Sequence, residues 1–187
     1  IVAHDLKNPF QGLLGLTEIL AEDINTFTSD ELLALARDLN LSAKNLYKLL
    51  ENLLTWSQLQ RGNINFNPQK LNLFTVVKQN IEIIEQRAIQ KGITVSYEIP
   101  DGLMVLGDEK MFDTIIRNIL SNAKKFTKTG GKIFVKSRII ENNFVEIAIA
   151  DSGIGMTEEY CAKLFKIDQK VGKTGTNGEL STGLGLI

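Results

Sequence analysis

The sequence has 187 residues, of which 43% are hydrophobic and 23% charged, proportions typical of globular domains and unlike those of disordered or collagen-like chains. Its formal net charge of −1 gives none of the positive field that usually accompanies nucleic-acid binding, so we expect no nucleic-acid partner. Cys161 is the only cysteine, which excludes an internal disulfide and a multi-cysteine zinc site and favours a reducing, cytoplasmic compartment.

The first two predicted elements are amphipathic helices. The first runs from Leu6 to Ile24, and Thr28 or Ser29 begins the second as its N-cap, with acidic residues in its first turn. From Leu32 to Trp56 apolar residues of the second helix alternate steps of three and four. Two such helices cannot bury both seams within one hairpin, so we expect a homodimer that forms a four-helix bundle; the alternative is a packing face within one chain. The apolar face of the first helix comprises Leu6, Phe10, Leu13, Leu16, Leu20 and Ile24.

A polar stretch from Gly62 to Pro68 marks the predicted domain boundary, which separates a helical hairpin over residues 1–62 from a second domain over residues 63–187. The second domain mixes helices and strands, so the predicted fold class is α+β. Its last two strands, joined by Glu141-Asn142-Asn143, predict an antiparallel hairpin. The predicted helices are Leu73–Ile89, Met111–Phe126 and Thr157–Phe165, the last with Thr157 as N-cap, and the strands are Ile93–Ile99, Leu103–Leu106, Lys132–Ile140 and Phe144–Ala150.

His4 is the only histidine in the sequence and lies in the run His4-Asp5-Leu6-Lys7-Asn8-Pro9-Phe10. An isolated helical histidine is usually a surface residue. Here, however, Asp5 can hold one ring nitrogen or take its proton, which leaves the other nitrogen free to attack phosphorus. Pro9 lacks an N–H and crowds the preceding turn, so we expect the helix to bend beside His4. Asn8 lies one turn from His4 on the same face.

A second polar group lies within the helix that ends at Phe126. Asn118 and Asn122 are four residues apart and Lys125 follows three residues later, so one helical face presents two amides and an ammonium. Amide oxygens suit Mg²⁺, which usually completes its shell with waters and nucleotide phosphates. Lysine supplies a counter-charge to phosphate. The alternative is a solvated polar face opposite the apolar side of the helix.

Glycine-rich motifs occupy the last quarter of the chain. Asp151-Ser152-Gly153-Ile154-Gly155-Met156 follows an apolar strand directly, and glycines there permit close approach of the backbone. Leu164-Phe165-Lys166 comes next, and the stretch from Val171 to Thr182 is typical of a mobile lid or of a plain loop. The sequence then reads Ser181-Thr182-Gly183-Leu184-Gly185-Leu186.

In this order, the motifs resemble the histidine, asparagine, glycine and phenylalanine boxes of sensor histidine kinases, and the resemblance covers essentially the whole chain. It implies a dimerisation and phosphoacceptor hairpin, followed by an α/β-sandwich ATP-binding domain of the histidine kinase and Hsp90 type. Ile1 begins within an apolar, helix-compatible stretch and Ile187 directly follows a glycine motif, so we expect both ends of the sequence to be cuts in a longer protein. The sequence also stops before the closing helix and strand usual for that domain. Any membrane attachment is expected only through a missing upstream sensor segment.

The resemblance further implies that ATP with Mg²⁺ phosphorylates His4, and that an aspartate of a response regulator receiver domain then takes the phosphoryl group. Regulator phosphatase activity is implied as well, with Asn8 placing the water. The remaining implied roles are proton transfer by Asp5, Mg²⁺ ligation by Asn118 and Asn122, phosphate contact by Lys125, adenine recognition by Asp151, close backbone approach at Gly153 and Gly155, and phosphate contact by the backbone of Thr182, Gly183, Leu184 and Gly185.

The chain departs from the family pattern at two positions, and its motifs also allow two rival interpretations. The asparagine-box helix of the family commonly carries Arg and Gln where this chain has Met111 and Thr114, which leaves the detail of phosphate contact open. One rival is a chaperone-like or topoisomerase-like ATPase of the same fold, in which water attacks ATP; the histidine box argues against it. The other is a non-enzymatic dimeric module that binds ATP structurally, and the intact His4, Asn122 and Asp151 argue against that.

Overall fold

The computed structural model describes residues 2–60, 65–165 and 174–179. It divides into two compact units, Ile1–Ile64 and Asn65–Ile187. The boundary predicted from the sequence, between residues 62 and 63, falls two residues before this division.

The first unit is a helical hairpin of α1 (Val2–Asp23) and α2 (Ser29–Gln60), linked by a 3-10 turn at Ile24–Thr26. Helix α1 continues through Pro9. Thr28 is the N-cap of α2, because its hydroxyl oxygen accepts a hydrogen bond from the Glu31 N–H at 3.4 Å while Glu31 Oε2 accepts from the Thr28 N–H at 2.8 Å. This reciprocal capping box starts the helix and, through the backbone and hydroxyl donors of Thr28, lowers the pKa of the Glu31 carboxyl. Within the described residues, none of the helices is long and apolar enough to cross a membrane.

The predicted α2 seam faces α1. Its side chains from Leu32 to Leu53 are half-buried, and Leu49 is only 4% exposed. On α1, Phe10 and Ile24 are each 50% exposed although they were expected to share the buried face. Phe10 lies about 80° around the helix from Leu20 at 100° per residue, and Ile24 already belongs to the 3-10 turn. A second apolar set on α2 is exposed, comprising Leu33, Leu41, Tyr47, Leu50 and Leu54.

The second unit is an α+β domain, as predicted, and it contains two small sheets. One sheet pairs β1 with β3 antiparallel, and the other has the order β2-β4-β5, with β2 parallel and β5 antiparallel to β4. The predicted β4–β5 hairpin is confirmed, whereas the last helix is shorter than predicted. The elements are β1 (Gln69–Asn72), α3 (Leu73–Gln90), β2 (Thr94–Glu98), β3 (Met104–Gly107), α4 (Glu109–Phe126), β4 (Lys132–Ile139), β5 (Val145–Asp151) and α5 (Glu158–Cys161).

Strand β1 was not predicted from the sequence. Its four residues, Gln69-Lys70-Leu71-Asn72, contain a single apolar side chain, Leu71, which is 7% exposed. The strand exists because it pairs with β3, a contact between residues more than thirty positions apart. It leads directly into α3, whose N-cap Asn72 accepts a hydrogen bond from the Thr75 N–H at 3.2 Å.

The core of the second unit lies between the paired helices α3 and α4 and the three-stranded sheet. Apolar side chains from both helices and from β4 are buried there, and β5 contributes half-buried side chains from the side nearest α4. This packing places the C-terminal end of α4 beside the loop that follows β5. The buried core consists of Leu73, Val77, Ile81, Ile84, Ala88, Ile93, Ile99, Ile116, Leu120, Ala123, Ile133 and Val135.

Candidate functional site

Helix α4 carries three of the predicted site residues and is fixed at both of its ends. At the N-terminus, Asp108 accepts hydrogen bonds from the backbone N–H groups of Asn67 at 3.0 Å and Met111 at 3.1 Å. These donors hold the pKa of the Asp108 carboxyl below its usual value. At the C-terminus, the fully buried Thr127 donates its hydroxyl to the carbonyl oxygen of Ala123 at 2.7 Å. The helix can therefore present its side chains from a rigid backbone.

Asn118, Asn122 and Lys125 are all half-buried on α4, and their spacing places them along one face. Among the described residues, neither amide has a hydrogen-bond partner, so both amide oxygens can serve as ligands. The Lys125 ammonium lies 5.3 Å from the centre of the Phe126 ring. Two neutral amide oxygens beside a lysine form a donor set that fits Mg²⁺ held together with nucleotide phosphates.

The loop after β5 is held against the end of α4. The Gly153 N–H donates to Asp151 Oδ1 at 2.9 Å, and the Ile154 N–H donates to the carbonyl oxygen of Phe126 at 3.1 Å. A Cβ at residue 153 would lie 2.5 Å from that same carbonyl oxygen, so only glycine fits this approach. Gly155 has φ +66°, which also favours glycine.

Asp151 itself is exposed at the end of β5. Its Oδ1 is engaged by the Gly153 N–H, while its other carboxylate oxygen has no partner in the described part of the chain. The loop therefore orients the carboxylate and leaves one oxygen available to accept a hydrogen bond from a ligand.

A further segment, Thr174-Gly175-Thr176-Asn177-Gly178-Glu179, packs on the same end of α4. The Thr176 N–H donates to the carbonyl oxygen of Lys125 at 3.1 Å, and Glu179 pairs with Lys91 at 3.2 Å. Sequence reasoning missed Lys91, Thr176 and Glu179. Lys91 follows α3 and precedes Gly92, which is the pattern of an ordinary helix end. That pattern does not indicate that the Lys91 ammonium contacts the carbonyl groups at the end of α4.

The remaining predicted site residues lie in the other unit, beyond α5 or outside the described residues. The backbone of His4, Asp5 and Asn8 lies in the first turns of α1, in the other unit. Phe165 is 74% exposed beyond α5. Thr182, Gly183, Leu184 and Gly185, together with the lysines at positions 166, 170 and 173, lie outside the described residues.

Comparison with known families identifies both units. A model for histidine kinase-, DNA gyrase B-, and HSP90-like ATPases matches residues 107–187. A model for the His kinase A (phospho-acceptor) domain matches residues 1–62. The first model covers α4, the β5 loop and the 174–179 segment, and the second covers the hairpin that carries His4.

Relatives and solved structures extend this similarity over nearly the whole chain. The chain is 28% identical over 194 residues to the signal transduction histidine-protein kinase BarA of Escherichia coli K12, which covers all of this chain and 20% of BarA. Histidine kinase AdeS of Acinetobacter baumannii superimposes with a TM-score of 0.78 at 23% identity, covering 98% of this chain and 83% of AdeS. Histidine kinase ThkA, solved in complex with the response regulator protein TrrA, gives a TM-score of 0.72 at 20% identity, over 90% of this chain and 49% of ThkA. The chain spans about a fifth of the length of the curated relatives it matches.

Proposed function

The chain belongs to the sensor histidine kinases, as their ATP-dependent catalytic core, and we propose that it phosphorylates His4 and passes the phosphoryl group to an aspartate of a response regulator. The observation that carries the proposal is that the asparagine pair and Lys125 share one face of α4 and that the loop carrying Asp151 is held against the C-terminal end of the same helix. The single histidine of the sequence lies in the other unit. The Mg²⁺ dependence, the regulator partner and the phosphatase activity form part of the same proposal.

In this proposal the nucleotide binds along α4. The second oxygen of the Asp151 carboxylate accepts a hydrogen bond from the adenine amino group, and the backbone at Gly153 and Gly155 allows the base to approach closely. Asn118 and Asn122 hold Mg²⁺, and Lys125 contacts the phosphates. Bound Mg²⁺ would neutralise charge on the β- and γ-phosphates. The backbone N–H groups of the last glycine box, Thr182, Gly183, Leu184 and Gly185, complete the phosphate contacts.

The reaction is an in-line phosphoryl transfer to nitrogen. One ring nitrogen of His4 attacks the γ-phosphorus, an N–P bond forms, the bond from the γ-phosphorus to the bridging oxygen breaks, and ADP leaves. Asp5 accepts or orients the proton on the other ring nitrogen. In the second step, a carboxylate oxygen of the regulator attacks the phosphorus and the N–P bond breaks, which returns His4 to its starting state.

The proposed assembly is a homodimer through the helical unit. A single hairpin leaves large apolar side chains of both helices about half exposed or more, among them Phe10, Leu33, Leu41 and Tyr47. A second copy would remove this surface from water by completing a four-helix bundle. Because the reaction uses ATP and a regulator protein, the proposed location of this core is the cytoplasm.

Asn8 is proposed to support dephosphorylation of the regulator. It lies four residues after His4 in α1, so a regulator docked over His4 would bring its phospho-aspartate close to the Asn8 amide. An amide both donates and accepts hydrogen bonds, and it can therefore orient a water for in-line attack. The alternative is that Asn8 only solvates the helix beside Pro9.

The direct test of His4 is the substitution His4→Gln. Phosphorylation of the protein by labelled ATP with Mg²⁺ should disappear, while ATP affinity measured by titration should remain close to that of the parent, because the nucleotide residues lie in the other unit. Continued labelling of the variant would contradict the assignment of His4. Loss of ATP affinity as well would place His4 in the nucleotide site, which the proposal does not allow.

A further inference from the structure

Lys91 is a buried lysine whose ammonium meets three acceptors. Its side chain is only 6% exposed. The Nζ atom donates to the carbonyl oxygens of Lys124 at 3.0 Å and Lys125 at 3.1 Å, and to Glu179 Oε1 at 3.2 Å. Three acceptors match the three N–H donors of an ammonium. A buried ammonium with three hydrogen bonds to fixed acceptors restrains the groups that surround it.

Two of these acceptors are backbone carbonyl groups in the last turn of α4. The last carbonyls of a helix lack donors within the helix and carry a partial negative charge, which a lysine ammonium complements. The same Lys125 carbonyl oxygen also accepts the Thr176 N–H, and the Thr176 hydroxyl lies 3.1 Å from it and 2.9 Å from the carbonyl oxygen of Thr127. The last turn of α4 is thus held from outside by Lys91 and by the 174–179 segment.

Glu179 links the segment to Lys91. One carboxylate oxygen pairs with Lys91, and the other accepts the Asn177 N–H at 2.9 Å, while the Gly175 N–H donates to the Glu179 carbonyl oxygen at 2.8 Å. Burial alone would raise the pKa of the Glu179 carboxyl, but the backbone N–H donors of Asn177 and Glu179 and the Lys91 ammonium outweigh it, so the pKa is lowered. At neutral pH the Glu179 carboxylate is therefore ionised. One of its oxygens binds Lys91 while the other accepts the Asn177 N–H within the 174–179 segment.

The last turn of α4 also carries two groups of the proposed nucleotide site. Lys125 is the proposed phosphate contact, and the carbonyl oxygen of Phe126 receives the Ile154 N–H of the loop that orients Asp151. Any shift of this turn would therefore move the phosphate contact and the adenine contact together. A displacement of about 1 Å in a positioning group is enough to lower binding or rate substantially.

We propose that Lys91 and Glu179 are positioning residues for the nucleotide site, which hold the last turn of α4 so that Lys125 and the Asp151 loop keep their places. This inference rests on the proposed function. Neither residue needs to touch ATP. The pair acts through the Lys124 and Lys125 carbonyls and through the 174–179 segment.

The test compares Lys91→Met, Glu179→Gln and the double variant in the intact kinase. ATP affinity is measured by displacement of a fluorescent ATP analogue in the presence of Mg²⁺, and folding is checked by thermal unfolding. Each single variant should weaken ATP affinity about five- to tenfold, and the double variant should be no weaker than Lys91→Met, because both changes break one linkage. Labelling of His4 at saturating ATP should stay within about twofold of the parent, because the affected residues position the nucleotide and take no part in the transfer.

The matched control is Glu146→Gln, the same substitution in another ion pair of the same unit. Glu146 pairs with Arg138 at 2.7 Å across β4 and β5, and within residues 2–60, 65–165 and 174–179 its side chain has no hydrogen bond to a residue of the proposed site. This variant should bind ATP with the affinity of the parent.

The possible results distinguish a failure of this inference from a failure of the proposed function. Parent-like ATP affinity in Glu179→Gln, with or without a lower unfolding temperature, would show that the pair is only structural and would overturn the inference; this variant also decides the matter should Lys91→Met not fold. Equal losses in Glu179→Gln and in the Glu146→Gln control would overturn it as well. If the parent itself bound no ATP, the proposed function would fail and the inference with it.

Discussion

Replacing Gly153 by alanine would place a Cβ 2.5 Å from the carbonyl oxygen of Phe126 and 2.9 Å from its carbonyl carbon. Ordinary contact begins at 3.4 Å, so the loop would have to move by 0.9 Å, the difference between 3.4 and 2.5 Å. Both obstructing atoms belong to the backbone of α4, and no side-chain rotation can relieve the contact. A third atom, Asp151 Oδ1, lies 2.5 Å from the same position, so the carboxylate would have to turn as well.

The cost can be estimated from what this movement breaks. A shift of 0.9 Å directly away from α4 would lengthen the hydrogen bond from the Ile154 N–H to the Phe126 carbonyl oxygen from 3.1 Å to a distance at which it no longer counts as a hydrogen bond. Overpacking of a tight site costs about 1–3 kcal/mol, and the lost hydrogen bond costs about 1 kcal/mol. Displacing Asp151 weakens a charged hydrogen bond to the ligand worth roughly 1.5–3 kcal/mol, which corresponds to at least about tenfold in ATP affinity.

The assay pairs thermal unfolding, followed by circular dichroism, with ATP titration below the unfolding temperature of every variant. The matched control is Gly102→Ala, because Gly102 has φ +77° and no atom lies within 4 Å of the added Cβ. Alanine is strained at this positive φ, so that variant should lose stability without losing ATP affinity. Gly153→Ala should lose both. Parent-like ATP affinity in Gly153→Ala would refute the reasoning that this loop orients the adenine contact.

Three further predictions concern the N-cap of α4, the proposed nucleotide site and Asn8. The pKa of the Asp108 carboxyl is lowered in the folded state. The ionised carboxylate therefore stabilises the folded protein above the pKa of the unfolded chain, and this stabilisation is lost as pH falls through the folded-state pKa. The difference in unfolding temperature between the parent and Asp108→Asn should shrink below about pH 4. Asn122→Asp and Asp151→Asn should each abolish labelling by ATP, the first through altered Mg²⁺ coordination and the second through a lost adenine acceptor, and nucleotide titration of Asp151→Asn should show weakened ATP binding. Asn8→Ala should slow regulator dephosphorylation by about tenfold while labelling of His4 stays within a few-fold, and an equal fall in both activities would make Asn8 a structural residue.

The elements with strong local signals were predictable from the sequence. The N-cap at Thr157, the hairpin between β4 and β5 and the two long helices of the first unit each follow from spacing and capping residues, and the structure confirms them. The same rules located the glycines of the β5 loop. The tight contact of Gly153 with the Phe126 backbone explains why one of them must be glycine, which the sequence pattern alone does not state.

Features that depend on distant pairing were not predictable. Strand β1 has one apolar residue and exists through its partner β3, and no periodicity signals such a strand. Lys91 and Glu179 are 88 positions apart, and each has an ordinary local interpretation, the first as a helix-end cation and the second as a charged loop residue. Only the fold brings them together at the end of α4.

In the helical unit, the apolar periodicity predicts the helices correctly but does not predict which of their apolar faces are covered. The predicted α2 seam is indeed the side that faces α1, yet a second apolar set that includes Leu33, Leu41 and Tyr47 remains exposed. One helix can carry two apolar stripes, and the sequence does not state which stripe the neighbouring helix of the same chain covers.

The chemical stability of the label left on the protein by ATP tests the central claim most directly. After incubation with labelled ATP and Mg²⁺, the phosphorylated chain is treated separately with acid and with base. Because His4 is the only histidine in the sequence, a label lost in acid and retained in base identifies phosphohistidine at that residue, and this is the predicted result. Release of free phosphate without labelled protein would indicate an ATPase, ATP binding with neither product would indicate a non-enzymatic module, and either result would contradict the assignment of this chain as a kinase that phosphorylates His4.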